Sequence, residues 1–168
     1  MPIAVGAIGV PFADRGRRTD EYCAAMAALW SQDKAAYHGR YVNFDNAISR
    51  PQPAGGAIKL VIGGHSDAAA KRAGRYGTGF FPAKGTDDEL THLFDVMKDA
   101  AREAGRDGDA IETSSMVWSA KNGSLDRVKE LEDLGLHRLL VPPPTGNIAN
   151  MRQAMEQIAE RIAAVATT

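Results

Sequence analysis

The stretch IKLVIGGHSDAAAKRAGRYGTGFFP, residues 58–82, decides the fold, because it contains strand, turn, helix and strand in immediate succession. Ile58–Ile62 is a short apolar run with β-branched residues, ended by Gly63-Gly64, and it reads as a buried strand. Ser66 is placed to cap a helix over Asp67–Tyr76, an Ala-rich segment that Gly77 closes. Gly79-Phe80-Phe81 then reads as a second short strand, stopped by Pro82. A strand that leads through a helix into another apolar strand implies parallel pairing with a right-handed crossover.

The same alternation continues toward the C-terminus. Thr86-Asp87-Asp88-Glu89 matches a capping box and opens a helix through Ala104, with Leu90, Leu93, Phe94, Met97 and Ala101 as its apolar stripe. Ile111–Ser119 reads as the third strand. Ser124 caps a helix carrying Leu125, Val128, Leu131 and Leu134, which Gly135 ends. Leu136–Val141 is the fourth strand, stopped by the prolines at 142–144, and Asn147 or Asn150 starts a last helix through Val165. The spacing therefore predicts four βα units.

Toward the N-terminus the pattern is less regular. Thr19 or Asp20 can cap a leading helix through EYCAAMAALW. The following YHGRYVNFDNAISRPQPAGG has no helical period, and its aromatic-polar alternation suggests a short hairpin. Pro51, Pro53, Gly55 and Gly56 punctuate this excursion without separating two cores, so residues 1–168 read as a single domain.

Composition limits the function classes. With 44% apolar and 24% charged residues the chain has the balance of a globular protein. Twenty basic against twenty-one acidic side chains leave a net charge of −1, which provides no electrostatic footprint for nucleic acid or an anionic membrane. The lone Cys23 excludes an intrachain disulfide and sits in an apolar run as a small packed hydrophobe. The apolar residues 1–10 lack a basic leader and are too short to span a bilayer, so a cytoplasmic protein is expected.

In parallel βα units ligands bind at the carboxyl ends of the strands. The loops there are residues 63–66, 82–86, 119–124 and 142–147. Gly63-Gly64-His65-Ser66 is the most informative. Its glycines permit close backbone approach, and Ser66 opens a helix whose free N–H groups favour an anion such as phosphate. A tight turn with a serine cap and no ligand fits the residues equally well. His65 can donate to a phosphate or face solvent. Arg15, Arg17 and Arg18 form a basic cluster that either contacts phosphate or pairs with Asp14, Asp20 and Glu21. Of Phe80 and Phe81, strand alternation allows only one to touch a ligand ring. His38, His92 and His137 have no second ligand at metal spacing, so no metal site is expected.

Taken in order, IGVPFADRGRRTDEY (8–22), ALW (28–30), YHGRYVNFD (37–45), P-x-P (51–53) and the stretch 58–82 resemble the luciferase-like monooxygenase family. The resemblance is dense from residue 8 to about 83 and fades to pattern afterwards. It implies a (β/α)8 barrel and, as cofactor, FMN or the deazaflavin coenzyme F-420 (F420). It implies a small organic substrate and a cofactor phosphate at the loop after the fifth strand, here Gly63, Gly64, His65 and Ser66. Gly79 and Phe80 match the loop that borders the phosphate or ribityl chain, and Arg17 lies in the cluster matching a phosphate-binding arginine of some relatives. Gly77-Thr78-Gly79-Phe80-Phe81 departs from the family's Gly-Asp-Gly-Trp-Phe, and no catalytic residue carries over.

A complete barrel takes about 250 residues. The expectation is therefore an α/β half-barrel of the (β/α)8 type, the C-terminal half, with a leading helix, an extended excursion and four βα units. Residues 3–7 match the end of a fourth strand. An isolated half exposes two strand edges and its inner face. Association with a second copy, or with a complementary half-barrel chain, is expected to cover them. Two functions remain open, a flavin- or deazaflavin-dependent oxidoreductase and a non-catalytic flavin-phosphate binder that works only in an assembly. Bulk at Gly64 is expected to block the phosphate while leaving the fold intact.

Overall fold

The structure is a computed structural model, and it describes residues 11–116, 125–141 and 147–166. The chain forms two compact units, Met1–Leu60 and Val61–Thr168, with the boundary shortly after the Pro/Gly stretch.

In the first unit, a single 3-10 turn at Phe12–Asp14 leads into helix α1, Arg15–Ser31. The helix begins earlier than the Thr19 or Asp20 caps suggested. Pro11 holds φ at −61°, and the Asp14 N–H donates to its carbonyl at 3.1 Å, which pre-forms the first turn. The Arg15 guanidinium lies 3.6 Å over the Phe12 ring, and Thr19 donates its hydroxyl back to the Arg15 carbonyl from inside the helix. Cys23 is 4% exposed, as a packed residue.

The excursion is the expected hairpin. Strands β1, Ala35–His38, and β2, Asn43–Ala47, pair antiparallel with Tyr37 opposite Phe44. Glu21 of α1 locks its turn by accepting the N–H groups of Arg40 (3.0 Å), Tyr41 (2.7 Å) and Val42 (3.2 Å). Removal from water pushes the Glu21 carboxyl up, but the three backbone donors and Arg40 outweigh that, and the net direction is down.

The second unit is an α/β layer structure. Strands β3 (Val61–Gly63), β4 (Gly79–Phe81), β5 (Glu112–Ser115) and β6 (Arg138–Leu139) form one sheet in that order, all parallel. Helices α2 (Asp67–Tyr76), α3 (Asp87–Glu103) and α4 (Leu125–Asp133) make the crossovers, and α5 (Ile148–Ala166) follows β6. This is the fold class expected, four successive βα units of barrel type.

Two strands are shorter than their apolar runs. Ile58 is 50% exposed and Val61 54%, so only Ile62 of the first run is buried. Ladder bonding at the fourth strand extends past its formal ends, with His137 N–H donating to the Thr113 carbonyl and Leu140 N–H to Ser115. The expected Ser124 cap, the prolines at 142–144 and the end of the third strand lie outside the described residues.

Register decides which face each side chain takes. Ile62, Phe80 and Thr113 lie level across β3, β4 and β5, and all three are buried. Phe80 meets Phe94 of α3 edge-on, with ring centroids 6.4 Å apart, which identifies this face as the one covered by helices. Val61, Gly79 and Glu112 occupy the opposite face, where Glu112 pairs with Arg138 at 2.8 Å.

The Ala-rich sequence of α2 follows from its neighbour. Ala69, Ala70, Ala73 and Gly74 are buried, and a Cβ at Gly74 would collide with the α3 backbone at Met97 and Ala101. The two helices therefore pack backbone to backbone. The α3 stripe of Leu90, Leu93, Phe94 and Met97 supplies the bulk, each burial contributing roughly 1.5–3 kcal/mol. Arg106 clamps the far end of α2, donating to the carbonyls of Gly74 (2.5 Å) and Gly77 (2.6 Å).

Candidate functional site

The carboxyl edge of the sheet gathers the turn after β3, the loop after β4 and the first turns of α2 and α3. Ser66 caps α2 as expected, its hydroxyl accepting the Ala69 N–H at 3.4 Å while its carbonyl accepts those of Ala69 and Ala70. The first-turn N–H groups at Asp67 and Ala68 have no acceptor within the helix and carry the positive end of its dipole.

The two glycines of the turn have different duties. A Cβ built at Gly63 meets nothing within 4 Å, so this strand end borders open space. Gly64 has φ +147°, donates its N–H to the Phe81 carbonyl at 3.2 Å, and would bring a Cβ within 2.6 Å of the Ala69 methyl. The expectation that bulk at Gly64 spares the fold is therefore corrected: Gly64 is a structural glycine, strained by any side chain. Gly63 is the position where bulk enters free space.

The β4–α3 loop is tied down from three directions. Pro82 is buried, and its carbonyl accepts the Ser115 hydroxyl at 2.6 Å. At its other end the capping box forms as the sequence indicated, with Thr86 N–H donating to Glu89 Oε2 (2.8 Å) and Glu89 N–H to Thr86 Oγ1 (3.3 Å). Between them, Gly85 lies against the His65 ring. His65 Nε2 stands 3.9 Å from Glu89 Oε2, beyond hydrogen-bond distance, with its side chain 29% exposed beside the second loop.

Side-chain hydrogen bonds link the helix N-termini behind this edge. His92 Nε2 of α3 reaches Asp67 Oδ1 at 3.0 Å, which engages the one carboxylate in the first turn of α2. Arg127 of α4 binds Asp87 through both carboxylate oxygens, at 2.5 and 2.8 Å. The hydrogen bonds Arg127 donates hold the Asp87 carboxyl below its ordinary range, and donating to Asp87 and Glu130 pushes Arg127 up.

The remaining expected site residues are distributed as follows. The Phe80 side chain is 0% exposed and faces α3, so anything it offers a ligand comes through its backbone. The half-buried Phe81 lies level with Gly63 and shares its face. Gly79 sits at the amino end of β4, level with Val61. Arg17, in the first unit, is 68% exposed and bonds Asp14 at 3.1 Å. Its neighbour Arg18 stacks 4.2 Å over Tyr41, and Arg18 Nε and the Tyr41 hydroxyl are buried with no hydrogen-bond partner among the described residues. The basic cluster pointed to Arg18 only collectively, because the Tyr41 contact spans the whole of α1 and β1.

A cavity of about 530 Å³ lined by Val128, Leu131, Leu136 and Leu139, with Glu132 and His137, opens at the amino end of β6. It lies at the opposite edge from the glycine turn. There His137 Nδ1 accepts the Thr113 N–H at 3.2 Å, and Thr113 Oγ1 accepts the His137 N–H at 3.1 Å, a reciprocal tie between β5 and β6. Among the described residues no group of three His, Cys, Asp or Glu is placed to hold a metal ion, and no helix is long and apolar enough to cross a membrane.

The family model described as luciferase-like monooxygenase matches residues 2–122. An uncharacterized protein of Mycobacterium tuberculosis is 32% identical over 168 residues, covering 94% of this chain and 56% of the relative. The F420-dependent glucose-6-phosphate dehydrogenase of Mycolicibacterium smegmatis is 35% identical over 103 residues, 60% of this chain and 30% of that enzyme. Among solved structures, an F420-dependent secondary alcohol dehydrogenase in complex with an F420-acetone adduct superposes with a TM-score of 0.73 at 16% identity, covering 90% of this chain and 63% of that one. The chain thus spans a little over half the length of that Mycobacterium tuberculosis relative.

Proposed function

The chain belongs to the luciferase-like monooxygenase family, and from that premise we propose that its glycine turn holds the phosphate of FMN or coenzyme F420 in an oxidoreductase of that family. The observation that carries the proposal is the Gly63–Ser66 turn itself. Open space lies where a Gly63 side chain would be, beside the N-terminal turn of a helix capped by Ser66, whose first N–H groups have no acceptor within the helix. A phosphate fits this donor set, and Asp67, the carboxylate that would oppose it, is engaged by His92.

When bound, the flavin or deazaflavin supplies the electron or hydride chemistry. This chain's share is to bind and orient. The turn after β3 fixes the phosphate, Gly64 and Ser66 hold the turn in shape, and Phe81 borders the same face. The Val61–Thr168 unit is the whole basis of the proposed site.

Among the described residues β3 and β6 each pair on one side only, and Val61, Met116 and Leu140 are exposed. This favours a protein that works within an assembled barrel, whose further strands close on these edges. Without that assembly, the same site makes the chain a flavin-phosphate binder with no catalysis of its own.

The test is fluorescence titration of the purified chain with FMN and with riboflavin, which differ only in the phosphate. Preference for FMN supports the site, and equal affinity refutes it. Light scattering on the same sample reports assembly, and a monodisperse monomer counts against the assembled barrel.

A further inference from the structure

We propose that the cavity lined by the end of α4 and the start of β6 binds a small organic cation with an apolar body, at a site separate from the cofactor turn. It lies at the amino edge of the sheet, on the face covered by helices, and so does not depend on the phosphate reading of the Gly63–Ser66 turn.

Four apolar side chains make its walls. Val128 and Leu131 come from α4, Leu136 from the turn after it, and Leu139 from β6. Leu131 is 1% exposed and Leu136 7%, so these two belong to the packed core. Leu139 is level with Ser115, two residues beyond the helix-facing Thr113, whereas Gly63 and Phe81 occupy the other face of the sheet. His137 completes the lining as a fixed wall, because its Nδ1 accepts the Thr113 N–H at 3.2 Å. At about 530 Å³ the space has the size of a small-molecule site rather than of a packing defect.

The charge at this cavity has one sign. Glu132 supplies a carboxylate to the lining, and among the described lining residues there is no lysine or arginine. Glu132 stands beside Asp133 at the end of α4, whose last turn contains no basic residue. The helix stops here, with Gly135 N–H donating to the Glu132 carbonyl at 2.8 Å and Leu136 N–H to Leu131 at 2.9 Å. A helix C-terminus carries the negative pole of the dipole, where carboxylates are unfavourable and cations are stabilised. The neighbouring arginines are committed elsewhere. Arg127 binds Asp87 and Glu130, and Arg138 reaches Glu112 at 2.8 Å on the opposite face. Among the described residues no ion pair reaches Glu132 or Asp133, and Lys129, one turn earlier, makes none with them.

An apolar chamber whose lining includes an unpaired carboxylate and the carbonyl end of a helix matches an ammonium carried on an aromatic or aliphatic body. The body displaces water from Val128 and the leucines, and the ammonium answers Glu132 and the helix end. An anion of the same shape is repelled by both, and a neutral molecule gains only the walls.

The experiment is calorimetry of the full chain at pH 7 and low salt with three probes of nearly one shape: tryptamine, tryptophol and indole-3-acetate. Tryptamine should bind about fivefold tighter than tryptophol, close to 1 kcal/mol, from an exposed charge pair and a helix-end contact together. Indole-3-acetate should bind more weakly than either. Glu132→Gln keeps the shape of the cavity, so it should leave tryptophol unchanged and bring tryptamine to within about twofold of it. Val128→Phe puts bulk into the space and should weaken tryptamine and tryptophol alike; if that variant does not fold, the Glu132→Gln comparison decides alone. Equal binding of the three probes, preference for the acid, absence of tryptamine binding, or full cation preference in Glu132→Gln overturns the proposal. FMN and riboflavin titrations bear on the glycine turn alone, so either reading can fail without the other.

Discussion

Replacing Gly63 and Gly64 one at a time by alanine separates binding from folding within a single turn. At Gly63 the added methyl meets no atom within 4 Å, and the residue is in a strand, where alanine is about 0.5–1 kcal/mol better than glycine. Gly63→Ala should therefore leave stability unchanged or raise it by up to that amount. At Gly64 the same methyl faces φ +147° and a contact of 2.6 Å with Ala69. Backbone strain there costs about 1–3 kcal/mol, and overpacking adds about 1–3 more. At about 2–4 °C per kcal/mol for a chain of this size, Gly64→Ala should melt roughly 4–24 °C lower. Thermal melts read that contrast, and FMN and riboflavin titrations read the other half. Gly63→Ala should reduce the FMN preference about tenfold, near 1.4 kcal/mol, by filling the space a phosphate needs. A Gly63→Ala protein that is destabilised, or that keeps its full preference, would refute the assignment of that space to the cofactor. A Gly64→Ala protein as stable as the wild type would refute the account of the turn.

Ser66→Ala should cost about 1 kcal/mol in chemical denaturation through the lost cap, with a small loss of FMN preference. Arg106→Met removes charge-assisted bonds to the carbonyls that end α2; a loss of about 2–3 kcal/mol is expected with phosphate preference intact, because the clamp is at the other end of the helix. Asp87 is held below its ordinary 3.8 by Arg127, so the contribution of the pair is complete above that value and is lost as pH falls through the lower folded-state value. Both side chains reach solvent, so Asp87→Asn should cost less than about 1 kcal/mol at pH 7, and its melting curves should converge with the wild type in the acid range below 3.8.

The sequence by itself determined what neighbouring residues decide. Ser66 and the Thr86–Glu89 box mark helix starts because their partners lie three residues away. Gly79-Phe80-Phe81-Pro82 marks a strand because proline ends its ladder, and the stripe from Leu90 to Ala101 shows its buried face by period alone. The same local rules located the glycine turn and its serine cap. They also placed a leading helix, but not its start, since Thr19 reads as a cap in isolation and becomes an interior residue once Pro11 and Phe12 have formed the preceding turn. What only the tertiary structure decided depends on partners far apart in sequence. Gly64 has no room for a side chain because Ala69 folds back beneath it. Phe80 rather than Phe81 is spent on the core because Phe94 packs against it. His65 stands 3.9 Å from Glu89 because the start of α3 returns beside the turn. None of these contacts leaves a periodic trace in the chain, because a side chain's distant neighbours are fixed by sheet register and helix packing, which exist only after the layers have assembled.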